Sequence, residues 1–432
     1  QNILAASELN RNKRTQVVNF LTAQEAGYVG LETVIRSYNT TGTLLVADTL
    51  QYTSITRSDA SVRRAHHISE INVAENSGNR YVYGIPVYNI HQEDYSVTVN
   101  GTPDYENDLV PVNDSEININ DGFTGNKDGY KLITKTPPYA HSFLLTGLLS
   151  PDYVDITGNG ITEDDLGTAV KFNYTKMAGN YKWRTPYFTG SSASAIAHFN
   201  DGNLSETRDD KGIISYGERE SWYMHSIESK TMIAVFTLED RKDAKGVGGV
   251  MTGMNGNDAA NKRLEKIDLY NKADLRKNGK TKAKPVKTVW FEYDYSLCKN
   301  APGNKGTPET KPGSSVDYNA EKGKLTLRSI YFTYNDQVRG HKNKYKFFYG
   351  SKPGADSIPA YELNGSDRWG NYKPRAQNPG GLKNSVFPYA KQDDVAKINE
   401  NAAAWNLNKI LLPSGGQLEV KYESDDYAYV QD

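Results

Sequence analysis

Apolar and polar residues alternate with period two along most of this chain. "AVKFNYTK" (169–176) sets Val170, Phe172 and Tyr174 against Lys171, Asn173 and Thr175. "KTVWFEYDYS" (287–296) sets Val289, Phe291, Tyr293 and Tyr295 against Thr288, Trp290, Glu292 and Asp294, and "GQLEVKYES" (416–424) sets Leu418, Val420 and Tyr422 against Gln417, Glu419 and Lys421. Such alternation puts successive side chains on opposite faces, the pattern of half-buried antiparallel strands. In 325–334 the apolar set runs Leu325, Leu327 and then Ile330, Phe332, Tyr334. That change of parity predicts a β-bulge at Arg328 or Ser329. "SVTVNG" (96–101) alternates and ends in Asn-Gly, which predicts a hairpin turn.

Helical signals are few. Residues 7–28 offer Ser7 as an N-cap, an imperfect face of Leu9, Val17, Val18 and Leu21, and Gly27 as a stop. Thr22 and Glu25 within them have the spacing of a capping box. "DDVAKINENAAAW" (393–405) predicts a second short helix. Long polar insertions at 101–130, 188–213, 244–262, 298–322 and 351–400 separate the strands and read as ordered covering loops, since structureless runs of such length are uncommon in compact domains. The expected class is mainly β: an extended antiparallel sheet of about fifteen to twenty strands with long covering loops and a few short helices. The regions divide as 1–30, a helical entry; 31–150, β with a long polar insertion; 151–260, β with a candidate calcium loop; and 261–432, a sheet segment continuing beyond Asp432. Two observations point to continuation. Gln1 begins no basic leader with a long apolar core, and "YESDDYAYVQD" stops without a closing turn.

Composition sharpens this picture. Only 37% of the 432 residues are hydrophobic, while 30 are tyrosine. A tyrosine buries a ring and keeps a hydroxyl that needs water or a partner. The sheet is therefore expected to have thin, half-buried faces, with tyrosines lining a wetted surface. The 51 basic and 52 acidic residues leave a net charge of −1, without the basic excess of a nucleic-acid binder. "NGKTKAKPVK" (278–287) reads as a solvated loop entering a strand. No apolar run reaches the ~18–20 residues of a membrane-spanning helix. The single cysteine, Cys298, excludes an intrachain disulfide and reads as a structural thiol.

Five segments share one grammar: "RLEKIDLY" (263–270), "KPVKTVWFEYDYS" (284–296), "KLTLRSIYFTYND" (324–336), "KYKFFYG" (344–350) and "WNLNKILLPSGGQLEVKYES" (405–424). Each crosses a strand from a Leu or basic start toward aromatic positions. Such a unit cannot bury its inner face alone and needs like units beside it. "LRSIYFTYND", "KYKFFYG", "DRWGNYK" (367–373) and "ILLPSGGQLEVKYE" (410–423) together resemble the shell region of Rhs and YD-repeat proteins, familiar among large surface proteins of the Bacteroidota. "RYVYGIPVYN" (80–89) and "SYGERESWYMHSIESKT" (215–231) resemble segments of such proteins more weakly. The resemblance implies a β-ribbon that spirals into a hollow shell, non-enzymatic and extracellular or on the cell surface, which encloses or displays an effector or partner. The family's "DPxGR"-type release motif is absent here. The alternative expectation is an adhesin or glycan-binding β module, stabilised by calcium.

Candidate chemistry is sparse. "DYVDITGNGITEDDL" (152–166) follows the start of a calcium loop, with Asp155, Thr157, Asn159, the carbonyl of Ile161, Glu163 and Asp165 as candidate Ca²⁺ ligands. No Glu stands at the twelfth position. Arg368, Trp369 and Tyr372 in "SDRWGNYK" form a candidate sugar platform, or a corner packed on the sheet. "KGVGGVMTGMNGN" (245–257) fits neither a dinucleotide fingerprint nor a P-loop and reads as a surface loop. His66 and His67 in "VRRAHHISEI" are expected on opposite faces of a strand, and His225 as a hydrogen-bonded wall residue. No Gly-x-Ser-x-Gly or His-Glu-x-x-His motif occurs, and no catalytic residue is expected.

Overall fold

A computed structural model describes residues 16–28, 34–39, 52–113, 129–187, 194–202, 206–252, 260–301, 323–351, 358–426 and 428. The chain enters on β1 (Gln16–Thr22), turns through helix α1 (Ala23–Tyr28) and forms a separate hairpin of β2 (Val34–Tyr38) and β3 (Tyr52–Thr56). There follow β4 (Ile68–Glu75), β5 (Arg80–Tyr83), β6 (Ile85–Thr98), β7 (Leu109–Asn113), β8 (Lys131–Thr136), β9 (Tyr139–Leu144), β10 (Gly147–Leu149) and β11 (Ala169–Lys176). Next come β12 (Tyr181–Thr185), β13 (Ser194–Asn200), β14 (Lys211–Arg219), β15 (Trp222–Glu228), β16 (Met232–Lys245) and β17 (Ala260–Asn271). Helix α2 (Lys272–Lys282) leads to β18 (Lys287–Leu297), β19 (Lys324–Thr333), β20 (Tyr345–Tyr349), helix α3 (Val395–Ala402), β21 (Leu407–Leu411) and β22 (Gln417–Glu419).

Among the described residues, thirteen strands form one antiparallel sheet in the order β1-β4-β5-β10-β11-β15-β16-β17-β18-β19-β20-β21-β22. Seven form a second sheet, β7-β13-β14-β6-β8, with β12 also on β14 and β9 also on β6. The topology is a ribbon with two excursions. The chain leaves the long sheet after β5 to lay down β6–β9, returns as β10 and β11, leaves again for β12–β14, and returns as β15. From β16 to β22 each strand pairs with the one before it. The five segments of shared grammar supply β17 to β22, so like units do lie side by side. The region boundaries at 150/151 and 260/261 fall inside this sheet, because β10 pairs β11 and β16 pairs β17 across them.

The bulge is where the change of parity places it. Glu292 faces Ser329 and Tyr293 faces Leu327, which leaves Arg328 as the extra residue. Freed from the alternation, Arg328 reaches across the strands, Nε donating to Asp294 Oδ2 at 2.6 Å. The capping box also forms: the Thr22 amide donates to Glu25 Oε2 at 2.9 Å and the Glu25 amide to Thr22 Oγ1 at 3.2 Å. The helix it caps is short, however. Val17, Val18 and Leu21 lie on β1, paired with β4, and Ser7 and Leu9 lie outside the described residues. Helix α3 forms as expected, its Asp394 side chain accepting from the Lys397 amide.

The Asn-Gly signal does not close a hairpin. β6 lies between β14 on one side and β8 and β9 on the other, while β7 pairs β13. Gly101 serves a close approach instead, since a Cβ there would stand 2.8 Å from the Pro111 carbonyl oxygen.

Aromatic residues cover the long sheet in rows. Trp290 stands directly opposite Tyr331, their rings 6.0 Å apart and nearly parallel. Lys266 and Lys344 cap the two ends of that row, each ammonium 5.1 Å from the nearer ring. Many hydroxyls expected to stay wet are bonded within the protein: Tyr174 donates to the Leu145 carbonyl, Tyr349 to Leu327 and Tyr422 to Leu407, at 2.7–2.9 Å.

The expected single wetted surface is also qualified by a dry centre. Val97, Val99, Val110, Val112, Ala197 and Ile214 form an aliphatic cluster on the second sheet, with Tyr95 at its margin. Val250 and Met251 of the glycine-rich run pack against it, and Val247 is buried. The described part of that run is thus a packed element rather than a surface loop. A second cluster joins Ile233, Val235 and Tyr270 to Leu275 of α2 and Ala283 beyond it. Among the described residues no helix is long and apolar enough to cross a membrane.

Candidate functional site

A concave site lies where the β2–β3 hairpin, the loop 153–163, β11, the turn after β15 and helix α2 converge. It encloses about 470 Å³, within the usual ~300–1,000 Å³ of small-ligand pockets. Arg36, Lys171, Lys230, Lys272 and Arg276 line it, against two carboxylates, Glu163 and Glu228. Tyr38, Tyr52 and Tyr153 supply aromatic walls, and Ile161, Ile233 and Leu275 supply apolar ones.

Each charged group has a fixed place. Lys272, the first residue of α2, reaches Glu228 at 2.9 Å and Glu163 at 3.3 Å. Arg276, one turn on, also binds Glu163, so the helix presents two cations on one face. Burial works against ionisation of Glu163, but Arg276 and Lys272 hold its carboxyl below the usual carboxylate range. Lys171 Nζ donates to the Ile161 carbonyl at 3.4 Å, and Lys230 Nζ to the Asp165 carbonyl at 2.6 Å. The Arg36 guanidinium lies over the Tyr52 ring, 4.9 Å from its centroid. Tyr153 donates to Asp165 Oδ2 at 2.7 Å; burial and this bond push its hydroxyl up, so it stays protonated.

The candidate calcium loop forms one wall of this cavity, and most of its candidate oxygens already have partners. The Asp155 carboxylate accepts the amides of Gly158 and Gly160 at 2.7 and 2.9 Å. Thr157 Oγ1 donates to Asp164, and Asn159 Oδ1 accepts from Thr162 Oγ1. The Ile161 carbonyl meets a lysine and Glu163 meets Lys272 and Arg276. Asp165 is 2% exposed; burial raises its carboxyl, and the Thr162 amide and Tyr153 hydroxyl lower it further, to a net position below the usual range. Its Oδ1 is buried without a hydrogen-bond partner. No three His, Cys, Asp or Glu side chains converge in a metal-holding group among the described residues. The six candidates therefore do not assemble the shell that the spacing predicts: Glu163 and Ile161 face cations, and a calcium ion would have to displace them.

The second candidate divides. Arg368 and Trp369 both lie against Tyr389, the indole 5.3 Å away, with Trp369 54% exposed. Tyr372 instead packs on Trp405 at 4.7 Å. Asp367 fixes the turn between them, accepting from the amides of Trp369 and Asn371, each at 2.9 Å. The three residues thus make a packed corner rather than one platform.

The histidines differ from expectation in one respect. Residues 61–67 form turns, not a strand, and the rings of His66 and His67 meet edge to face at 4.8 Å. His225 lies on β15, stacked on Tyr38 and within 3.0 Å of Ser226 Oγ. Burial raises the Cys298 thiol, which disfavours its thiolate form.

The cavity's cations carry no local sequence signal, because they come from four separate segments. Helix α2 does carry one: Asn271 accepts from the amides of Ala273 and Asp274 as an N-cap. No protein-family model, no curated protein and no solved structure matches this chain.

Proposed function

We propose that the chain is a non-enzymatic structural segment of a large extracellular or cell-surface β protein, similar in plan to Rhs and YD-repeat shells, that encloses or displays an effector or partner. The observation that carries this reading is the state of the two edges of the thirteen-stranded sheet. On the edge strand β1, Val18 and Phe20 are exposed, and on the edge strand β22, Leu418 is exposed. Among the described residues no strand pairs the outer side of β1 or β22, and an open apolar edge strand templates further pairing. A wall built by adding strands at both sides uses them, whereas a closed sandwich protects its edges.

Hydrogen exchange on β1 and β22 tests this. In the natural protein their outward amides should exchange more slowly than in residues 1–432 alone, and the isolated chain should self-associate in a manner that Phe20→Lys with Leu418→Lys suppresses. Equal exchange in both forms, with a monomeric isolated chain, would refute the reading.

The alternative, a glycan-binding β module, is favoured by the cavity between β11 and α2.

A further inference from the structure

We propose that the cavity lined by Arg36, Lys171, Lys230 and the three tyrosines binds an acidic saccharide, a sugar ring bearing a carboxylate. The inference deepens the glycan-binding alternative and is independent of the edge-strand reading, since edge pairing and cavity binding are measured separately.

Charge sets the sign of the ligand. Among the described residues that line the cavity, five basic side chains face two acidic ones, in a protein whose net charge is −1. Basic side chains outnumber acidic ones in this lining, whereas over the whole chain the two are nearly equal. Cations gathered in a partly enclosed site attract an anion more strongly than the same groups spread over a surface. Arg36 adds a planar fork suited to a carboxylate.

The walls set the rest of the ligand. A bare inorganic anion needs no aromatic surface, yet Tyr38, Tyr52 and Tyr153 face the cavity together with Ile161, Ile233 and Leu275. A pyranose has an apolar face and a hydroxylated rim. Tyrosine rings and aliphatic groups suit the face, and the carboxylates of Glu163 and Glu228 can accept from the rim hydroxyls.

The site is also held in place before any ligand arrives. Lys230 is bonded to the Asp165 carbonyl, Tyr153 to the Asp165 carboxylate, and Lys272 bridges Glu163 and Glu228. Asn173 on β11 donates to Glu228 as well, at 2.5 Å. Groups fixed in advance lose less freedom on binding.

Calorimetric titration with galacturonate oligosaccharides, neutral galactose oligosaccharides and inorganic phosphate tests the proposal. The acidic oligosaccharides should bind, with affinity falling as salt rises from about 0.05 to 0.5 M, since screening weakens partly exposed pairs. Arg36→Gln with Lys171→Gln should weaken binding by about tenfold or more. Should that variant lose its fold by circular dichroism, lysine acetylation of the wild type replaces it: the acidic oligosaccharide should protect Lys171 and Lys230 but not the exposed Lys397. Equal binding of neutral sugars, phosphate binding as tight as that of the oligosaccharides, or no binding and no protection at millimolar ligand would each overturn it.

Discussion

Arg63 and Glu220, 157 positions apart, form a buried ion pair in which one guanidinium nitrogen donates to both carboxylate oxygens, at 2.6 and 2.7 Å. Arg63 is 4% and Glu220 3% exposed. Glu220 also takes Lys176 Nζ at 2.8 Å and Trp222 Nε1 at 3.1 Å. One carboxylate thus joins the turn before β4 to β11 and to the start of β15. Removing one member of a buried pair leaves an uncompensated charge, which costs about 3–5 kcal/mol. Glu220→Gln should lower the unfolding free energy by that amount in urea melts. A loss below about 1 kcal/mol, the range of a surface pair, would show that the network carries little.

The same carboxylate predicts a pH dependence. Burial opposes its ionisation, but Arg63 and Lys176 hold the Glu220 carboxyl below its ordinary 4.5. A depressed folded value means that the unfolded chain takes up the proton first. The stabilisation is therefore complete above 4.5 and is lost as pH falls from there through the folded value. Wild type and Glu220→Gln should differ most in stability near neutrality, and the gap should narrow below pH 4.5. A gap that stays constant from neutral to acid pH would contradict the assignment.

Gly217 on β14 lies directly opposite Trp183 on β12. A Cβ at Gly217 would stand 2.7 Å from the indole Cζ2 and 2.8 Å from the His91 carbonyl oxygen. The indole fills the space that the missing side chain leaves, an aromatic cover for a strand glycine. The carbonyl belongs to backbone and cannot swing aside. Gly217→Ala should cost about 1–3 kcal/mol by overpacking, read from the midpoint of chemical denaturation. An unchanged midpoint would mean that β6 and β12 can separate freely at this point.

The loop 358–391 is fastened to the other sheet by charge. Lys383 Nζ binds Asp108, Arg375 binds Glu106 at 2.9 Å, and Asn364 Nδ2 donates to the Asn107 carbonyl at 3.0 Å. These groups are partly exposed, and such pairs contribute roughly 0–1 kcal/mol each. Lys383→Ala should therefore leave global stability almost unchanged. The local effect should be visible in hydrogen exchange: the Arg368 and Lys373 amides, bonded to the Pro388 and Gly365 carbonyls, should exchange faster. Exchange that is unaltered there would place the anchor elsewhere.

Much of the long sheet was legible because strand pattern and repetition agree. Segments with the same aromatic grammar need like units beside them, and β17 to β22 pair edge to edge in sequence order. The bulge at Arg328 was legible because period two leaves no other way to change parity. The second sheet was not, since its strands come from two excursions whose pairing, β6 with β14 and β7 with β13, is set by burial of a distant aliphatic cluster. Asn100-Gly101 misled for the same reason: turn chemistry is local, and the packing of Gly101 on Pro111 overrides it. Helix α2 was hidden by its polarity, with Leu275 as its one buried apolar side chain. The cavity was hidden most thoroughly, because Arg36, Lys171, Lys230, Lys272 and Arg276 meet only after β2, β11, β15 and α2 have docked.

The loop 152–166 yields the last prediction. Its spacing promises calcium, while several of its candidate ligands are engaged without an ion: Asp155 closes on the Gly158 and Gly160 amides, and Glu163 is drawn to Lys272 and Arg276. Calcium would have to break the Glu163 pairs and face Lys171 at the Ile161 carbonyl. Ca²⁺ needs 6–8 oxygens at once, so a partial shell with nearby ammonium groups binds it poorly. Millimolar calcium should leave the melting temperature unchanged, and chelator should do the same. Asp155→Ala should nevertheless destabilise modestly, because two amides lose their acceptor; one is exposed and the other only partly buried, so the cost should be about 0.5–1.5 kcal/mol. A melting temperature that rises by several degrees with calcium, and no longer does so in Asp155→Asn, would restore the loop as a metal site and require Glu163 to leave its cations.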